Sequence, residues 1–165
     1  MPTLTVSEYV KLLNLQPHPE GGYYSESYRC ANTFDGAGDF PAGRKWATAI
    51  YFLIEKGNFS AFHRIRSDET WHFYAGDPLE VIEIDGKGAL KTTLVGSDIN
   101  NGMQLQYTVP AGVWFASRVY KEGNFSLVGC TVAPGFDYAD FELAERAKLI
   151  ADYPHHKDII TSLTR

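Results

Sequence analysis

Two alternating segments, bracketed by glycines and joined by a polar turn, restrict this chain to a β-sheet fold more than any other stretch. From Gly57 to Gly76 the order is Asn-Phe-Ser-Ala-Phe-His63-Arg-Ile-Arg-Ser-Asp-Glu69-Thr-Trp-His72-Phe-Tyr-Ala. Side chains alternate along a strand, so Phe59, Ala61, His63 and Ile65 are expected on one face of the first segment. Arg66-Ser67-Asp68 is turn chemistry. Beyond it Glu69, Trp71 and Phe73 share a face, and Thr70, His72 and Tyr74 take the other. An imidazole and a carboxylate that face one pocket from neighbouring strands can bind a metal or move a proton. The plainer alternative is a satisfied buried pair.

The flanking segments read the same way. Lys45–Glu55 is an almost continuous apolar run, expected as a central strand covered on both faces. Strands are expected at Tyr23–Cys30, Leu79–Ile84, Ala89–Val95, Gln104–Val109, Val113–Ser117 and Asn124–Ala133, with Asp85-Gly-Lys-Gly88 as a hairpin turn. Short strands at this spacing make a sandwich or barrel. Thr5-Val-Ser-Glu8 has capping-box spacing and predicts a short helix to about Asn14. Asp140 is expected to cap a helix over Phe141–Asp152, and His155–Leu163 to add a further turn or two. Residues 31–44 form a Gly- and Ala-rich loop of a length often used as a lid. The whole of 1–165 reads as one domain, with a β-barrel over about 21–133 and a helical segment over about 140–165.

With 165 residues the chain is long enough for one core without disulfides. Ten Tyr, ten Phe and fifteen Gly suit a turn-rich β protein. A net charge of −5 argues against nucleic acid as partner, because phosphate binding runs on Lys and Arg. No apolar run is long enough to span a bilayer, and the opening Met-Pro-Thr-Leu-Thr-Val-Ser-Glu has no secretory pattern. The expected location is therefore cytoplasmic, with Cys30 and Cys130 as reduced core thiols.

The spacing Gly57-x5-His63-x-Ile65-x3-Glu69-x6-Gly76 resembles the first cupin motif, which carries a second His where this chain has Ile65. Pro110-x-Gly112-x2-Phe115 is similar to the middle of the second motif, with Phe115 in place of a metal-binding His. The resemblance extends to a subgroup of small single-domain cupins of unknown function (Cupin_5-type). It is carried by His18-Pro-Glu-Gly-Gly-Tyr-Tyr24, Thr48-Ala-Ile-Tyr-Phe-Leu53, Phe62 to Phe73, Val109-Pro-Ala-Gly-Val-Trp-Phe115 and Pro134-Gly-Phe-Asp137. It implies an all-β cupin double-stranded β-helix, a jelly-roll barrel, with a short N-terminal helix and C-terminal helices. It also implies a homodimer formed through edge strands, the Tyr23–Cys30 strand being the candidate edge.

Metal-binding cupins hold their ion with three His and one Glu. Only His63 and Glu69 remain here, and a two-ligand remainder holds metal weakly. No cofactor is expected; were a divalent metal bound, His63, Glu69 and His72 would be its ligands. Metal-free epimerases on this fold use a His base and a Tyr acid, which assigns His63 as base, Glu69 as its orienting carboxylate, and Tyr74 or Tyr24 as acid. The substrate-binding set is Glu20, Tyr24, Ser60, Ser67, Trp71, His72 and Trp114. Strand alternation allows only one of Trp114 and Phe115 to face the lumen. Three functions follow in order: a metal-independent isomerase- or epimerase-like enzyme acting on a small polar metabolite; a non-catalytic module for a carbohydrate or nucleotide derivative; and a metal-dependent cupin enzyme.

Overall fold

Alternating apolar residues close two antiparallel sheets face to face in the computed structural model, which describes residues 4–165. The first three residues, part of the stretch read for a secretory signal, lie outside the described residues. One sheet runs in the order β1 (Gln16–Pro17), β2 (Tyr23–Arg29), β3 (Thr48–Glu55), β10 (Phe125–Ala133), β5 (Asp68–Gly76), β8 (Gln106–Val109). The other runs β11 (Phe141–Leu143), β4 (Phe59–Ile65), β9 (Trp114–Val119), β6 (Leu79–Ile84), β7 (Leu90–Val95). Strands β4 and β5 are consecutive but belong to opposite sheets. His63 and Glu69 are therefore brought together across the lumen and not along neighbouring strands as the sequence suggested.

The lumen is filled by inward side chains of both sheets, among them Phe52, Trp71, Val81, Phe115 and Val128, each no more than 1 % exposed. Trp71 lies edge-on to both Phe52 and Phe115, at ring separations of 6.0 and 6.2 Å. The outer faces are covered too. The helix α1 (Val6–Leu12) is capped as its sequence predicts: Thr5 accepts from the Glu8 amide, and the Glu8 carboxylate accepts from the Thr5 amide at 2.7 Å. It lays Val6, Tyr9 and Val10 over Leu53, Phe125 and Leu127. On the opposite sheet, Phe62, Ile82, Ile84 and Trp114 are covered by Leu149 of α2 (Arg146–Asp152) and by Ile160 of α3 (Lys157–Ser162) with the adjacent Leu163. Burying each such aliphatic side chain contributes about 1.5–3 kcal/mol.

The structure departs from the sequence reading at the C-terminal helix and at Cys30. Phe141–Leu143 pairs antiparallel with β4, so the helix begins only at Arg146. The alternation of Phe-Glu-Leu beside an open strand edge prevails over its helical spacing. Cys30 is only half-buried, while Cys130 is in the core; both are free thiols. The 31–44 loop is ordered by bridges Thr33–Lys45 and Ala37–Phe40 and by the buried Phe34 ring.

Candidate functional site

A bulge decides where His63 points. The pairing of β4 with β9 shifts between Ser60 and His63, which inserts an extra residue into the strand. Strict alternation would place Phe59 beside His63. Instead Phe59 and Phe62 pack outward with the helices, while Ser60 and His63 both reach the interior. The bulged Ala61 is used on both sides of its peptide. Its N–H donates to the Glu20 carbonyl at 2.9 Å, and its carbonyl accepts from His63 Nδ1 at 2.7 Å. A carbonyl can only accept, so Nδ1 carries a proton and Nε2 is the ring atom left for chemistry.

Glu20 is delivered by the loop His18-Pro-Glu-Gly-Gly. Gly21 has φ +112°, and a Cβ there would lie 2.1 Å from the Phe59 carbonyl; only glycine lets the loop sit this close to β4. The Arg165 guanidinium ties the same loop down by donating to the Glu20 carbonyl and stacking 4.4 Å over the Phe59 ring. Glu20 thereby enters the lumen, 6 % exposed. Its Oε1 accepts from Ser60 Oγ at 2.8 Å, and its Oε2 lies 3.1 Å from His63 Nε2. Burial pushes the Glu20 carboxyl above its ordinary range, against the opposing pull of His18, Ser60 and Arg165. Burial pushes the His63 imidazole down, opposed by the Glu69 charge and the Ala61 carbonyl. Both shifts favour a neutral pair that shares a proton between Oε2 and Nε2.

Glu69 faces this pair from β5, in a cavity of about 110 Å³ lined also by His18, Tyr24, Ile65 and Cys130. Burial is the main cause that raises its carboxyl to about 7; the Glu20 charge adds to the rise, while His63 and the Cys130 thiol oppose it. Burial likewise drives the Cys130 thiol well above its ordinary value. Toward the mouth the walls are Phe136, Tyr138 and Phe141, with Glu26 and Arg29 at the rim. Arg29 Nη2 is 2.6 Å from Glu26 Oε2, so the rim cation is already paired. The Tyr138 hydroxyl is pushed up to about 12 by partial desolvation and then by the neighbouring Tyr24 hydroxyl, although the residue as a whole stays half-exposed.

Of the residues singled out from sequence, His63, Glu69, Glu20 and Tyr24 line the cavity, and Ser60 holds Glu20 from behind. The carboxylate in contact with the His63 ring is Glu20, at 3.1 Å, where the sequence had suggested Glu69. Tyr74 is half-exposed on the outer face of its sheet, near Tyr51 and over Gly129, and cannot supply the acid. His72 shares that outer face, with Nε2 2.9 Å from Thr131 Oγ1, so His63, Glu69 and His72 do not converge. Trp71 belongs to the packed core below the cavity. Ser67 is spent on the Pro134 carbonyl at 2.6 Å. Trp114 faces the helices under the Arg64 guanidinium, and it is Phe115 that turns inward, 4.1 Å from the His63 ring. Sequence reasoning missed Glu26, Arg29, Phe136, Tyr138 and Phe141; the Pro134-Gly-Phe-Asp137 motif was the one pointer to that wall.

The residues present do not fit a cupin metal. Among the described residues no three His, Cys, Asp or Glu side chains are grouped to hold an ion. The place of a further ligand is taken by the hydrocarbon ring of Phe115 against His63.

An antiparallel jelly-roll barrel with an ionisable cluster in its lumen is the architecture of the cupins. Oxalate decarboxylase from Bacillus subtilis superposes on 89 % of this chain with TM-score 0.55 at 15 % identity, the match spanning 36 % of that enzyme; this is a likeness of fold. The chain belongs to the Cupin_5 family, described as "Cupin superfamily (DUF985)", whose model matches residues 7–144. A hypothetical protein from Leishmania major is 40 % identical, with TM-score 0.91 over 98 % of this chain and 99 % of its own. A protein of solved structure from Shewanella oneidensis is 40 % identical, with TM-score 0.89 over 99 % of both chains. The uncharacterized yeast protein YML079W is 28 % identical over 151 residues, 84 % of this chain and 75 % of its own length.

Proposed function

We propose that this cupin is a metal-independent acid–base enzyme of the isomerase or epimerase type, acting on a small polar metabolite in the barrel. The observation that carries this reading is the contact of His63 Nε2 with Glu20 Oε2 at 3.1 Å, at the wall of a cavity that also holds Glu69. A neutral imidazole in a buried site is a competent base near neutral pH. In the proposed reaction Glu20 passes the shared proton to the carbonyl oxygen of the substrate, and the freed His63 Nε2 takes a proton from the adjacent carbon, leaving an enol. A hydroxyl of the Tyr24–Tyr138 pair, or Glu69 in its acid form, returns a proton, so no net proton is consumed. Burial of a carboxyl to about 7 suits that second role.

The test is solvent exchange. The protein is incubated in D₂O with hydroxy-carbonyl compounds and their sugar and nucleotide derivatives, and C–H loss is followed by NMR. Exchange that disappears in His63→Ala and Glu20→Gln supports the proposal. Exchange that survives His63→Ala removes the base. Saturable binding with no exchange favours the second reading, a binding module. The aromatic walls Tyr24, Phe136, Tyr138 and Phe141 speak for that alternative, since they suit stacking of a sugar or base.

We further propose a homodimer through β2. The strand β1 covers only Tyr23 and Tyr24, so among the described residues the edge from Ser25 onward carries no strand partner. Analytical ultracentrifugation that returned a monomer would refute it.

A further inference from the structure

The charges lining the cavity do not balance, and the imbalance is localised. Three carboxyl groups, Glu20, Glu26 and Glu69, share the lining with one guanidinium, Arg29, and two imidazoles, His18 and His63. Arg29 is taken by Glu26 through Nε and Nη2. Glu20 is taken by Ser60 and His63. Glu69 remains. It is 8 % exposed and lines the cavity, and among the described residues it has no Lys or Arg partner; its one hydrogen-bonding neighbour is the Cys130 thiol, a weak donor. A buried carboxylate without a strong donor is costly, and a ligand can supply what the protein withholds.

The surroundings select the kind of donor. Ile50, Ile65 and Val132 are aliphatic, and Tyr24, Phe136 and Phe141 present rings. A hydroxyl bound here would satisfy Glu69 with its hydrogen, but its own lone pairs would find donors chiefly at the Tyr24, Tyr138 and Thr48 hydroxyls and none along the aliphatic side of the wall. An ammonium has donors only, and ring faces attract its remaining N–H or N–CH₃ groups. The cavity volume of about 110 Å³ holds a group of about four heavy atoms, at a share of ~30 Å³ per water displaced.

We propose that the cavity recognises a ligand through a single ammonium group seated between Glu69 and the aromatic wall. This deepens the acid–base reading by naming the substrate class as amines. Glu69 then anchors the amine and leaves the His63–Glu20 pair to handle the proton.

The test compares n-propylammonium with 1-propanol, of nearly equal size and shape, by chemical-shift titration of the ¹⁵N-labelled protein, with acetate as the anionic control. The ammonium should bind at least about ten-fold tighter than the alcohol, and acetate weakest. Glu69→Gln should erase the preference. Equal affinity for ammonium and alcohol overturns the proposal, as does tighter binding of acetate, or the absence of any shift with n-propylammonium. A preference that persists in Glu69→Gln also overturns it, as does displacement of the ammonium by stoichiometric zinc or manganese. Were Glu69→Gln to fail to fold, the wild-type comparison would still decide. Charge selectivity and solvent exchange are separate readouts. Ammonium preference without exchange sinks the acid–base reading alone, and exchange on a neutral substrate without that preference sinks the amine alone.

Discussion

Glu69 illustrates how a single buried carboxyl writes itself into stability. Its ordinary value is 4.5, and in the folded protein it titrates at about 7. Between those values the folded chain holds a proton that the unfolded chain has released. Stability therefore falls as pH rises through that window and levels off above it. Glu69→Gln removes the cost of ionisation, so urea unfolding should show the variant equal to wild type near pH 4.5 and more stable at pH 8. The difference should be on the order of 3 kcal/mol. A wild-type profile flat from pH 5 to 7 would contradict it. His63 and Glu69 were legible in the sequence because motif spacing marks them. The role of Glu20 was not, because a carboxylate in a loop reads as solvated until the loop is seen folded inward. Tyr74 was misassigned for a related reason: closeness to a motif along the chain says nothing about which side of a sheet a ring occupies.

The loop that brings Glu20 inward and the bulge in β4 act as one device. The bulge frees the Ala61 amide for the Glu20 carbonyl and turns the Ala61 carbonyl toward His63. A one-residue insertion of this kind has no signature in an apolar–polar pattern, which is why alternation placed Phe59 on the wrong face. Gly21→Ala tests the device. Its Cβ would meet the Phe59 carbonyl at 2.1 Å in a conformation unfavourable for L side chains, so the loop must move. A loss of about 2 kcal/mol or more is expected by urea titration, with faster hydrogen exchange at Ala61. Unchanged protection there would mean the loop does not hold the site. The same lack of local signal hid β11, where three residues chose the β4 edge over the helix their spacing favoured.

Across the whole molecule the helical coverings run past the family match, which ends at residue 144. Leu149, Ile160 and Leu163 lie beyond that limit and are at most 2 % exposed, packed on the outer face of the sheet that carries His63. Leu149→Ala and Ile160→Ala should each cost about 2–5 kcal/mol in urea unfolding. Values below 1 kcal/mol would show the helical segment to be an accessory. The jelly-roll class and its strand spacing were readable because repeated alternation leaves few architectures open. How the two sheets share consecutive strands was not readable, since alternation fixes faces and leaves partners unspecified. Phe115, seated against His63, has a consequence for kinship. Phe115→His would place a third donor beside His63 and Glu69, and the variant should retain a divalent ion after dialysis where wild type does not. If a lineage can gain or lose an inorganic centre by exchanging one ring for another on an unchanged scaffold, metal content is a poor marker of descent among such barrels.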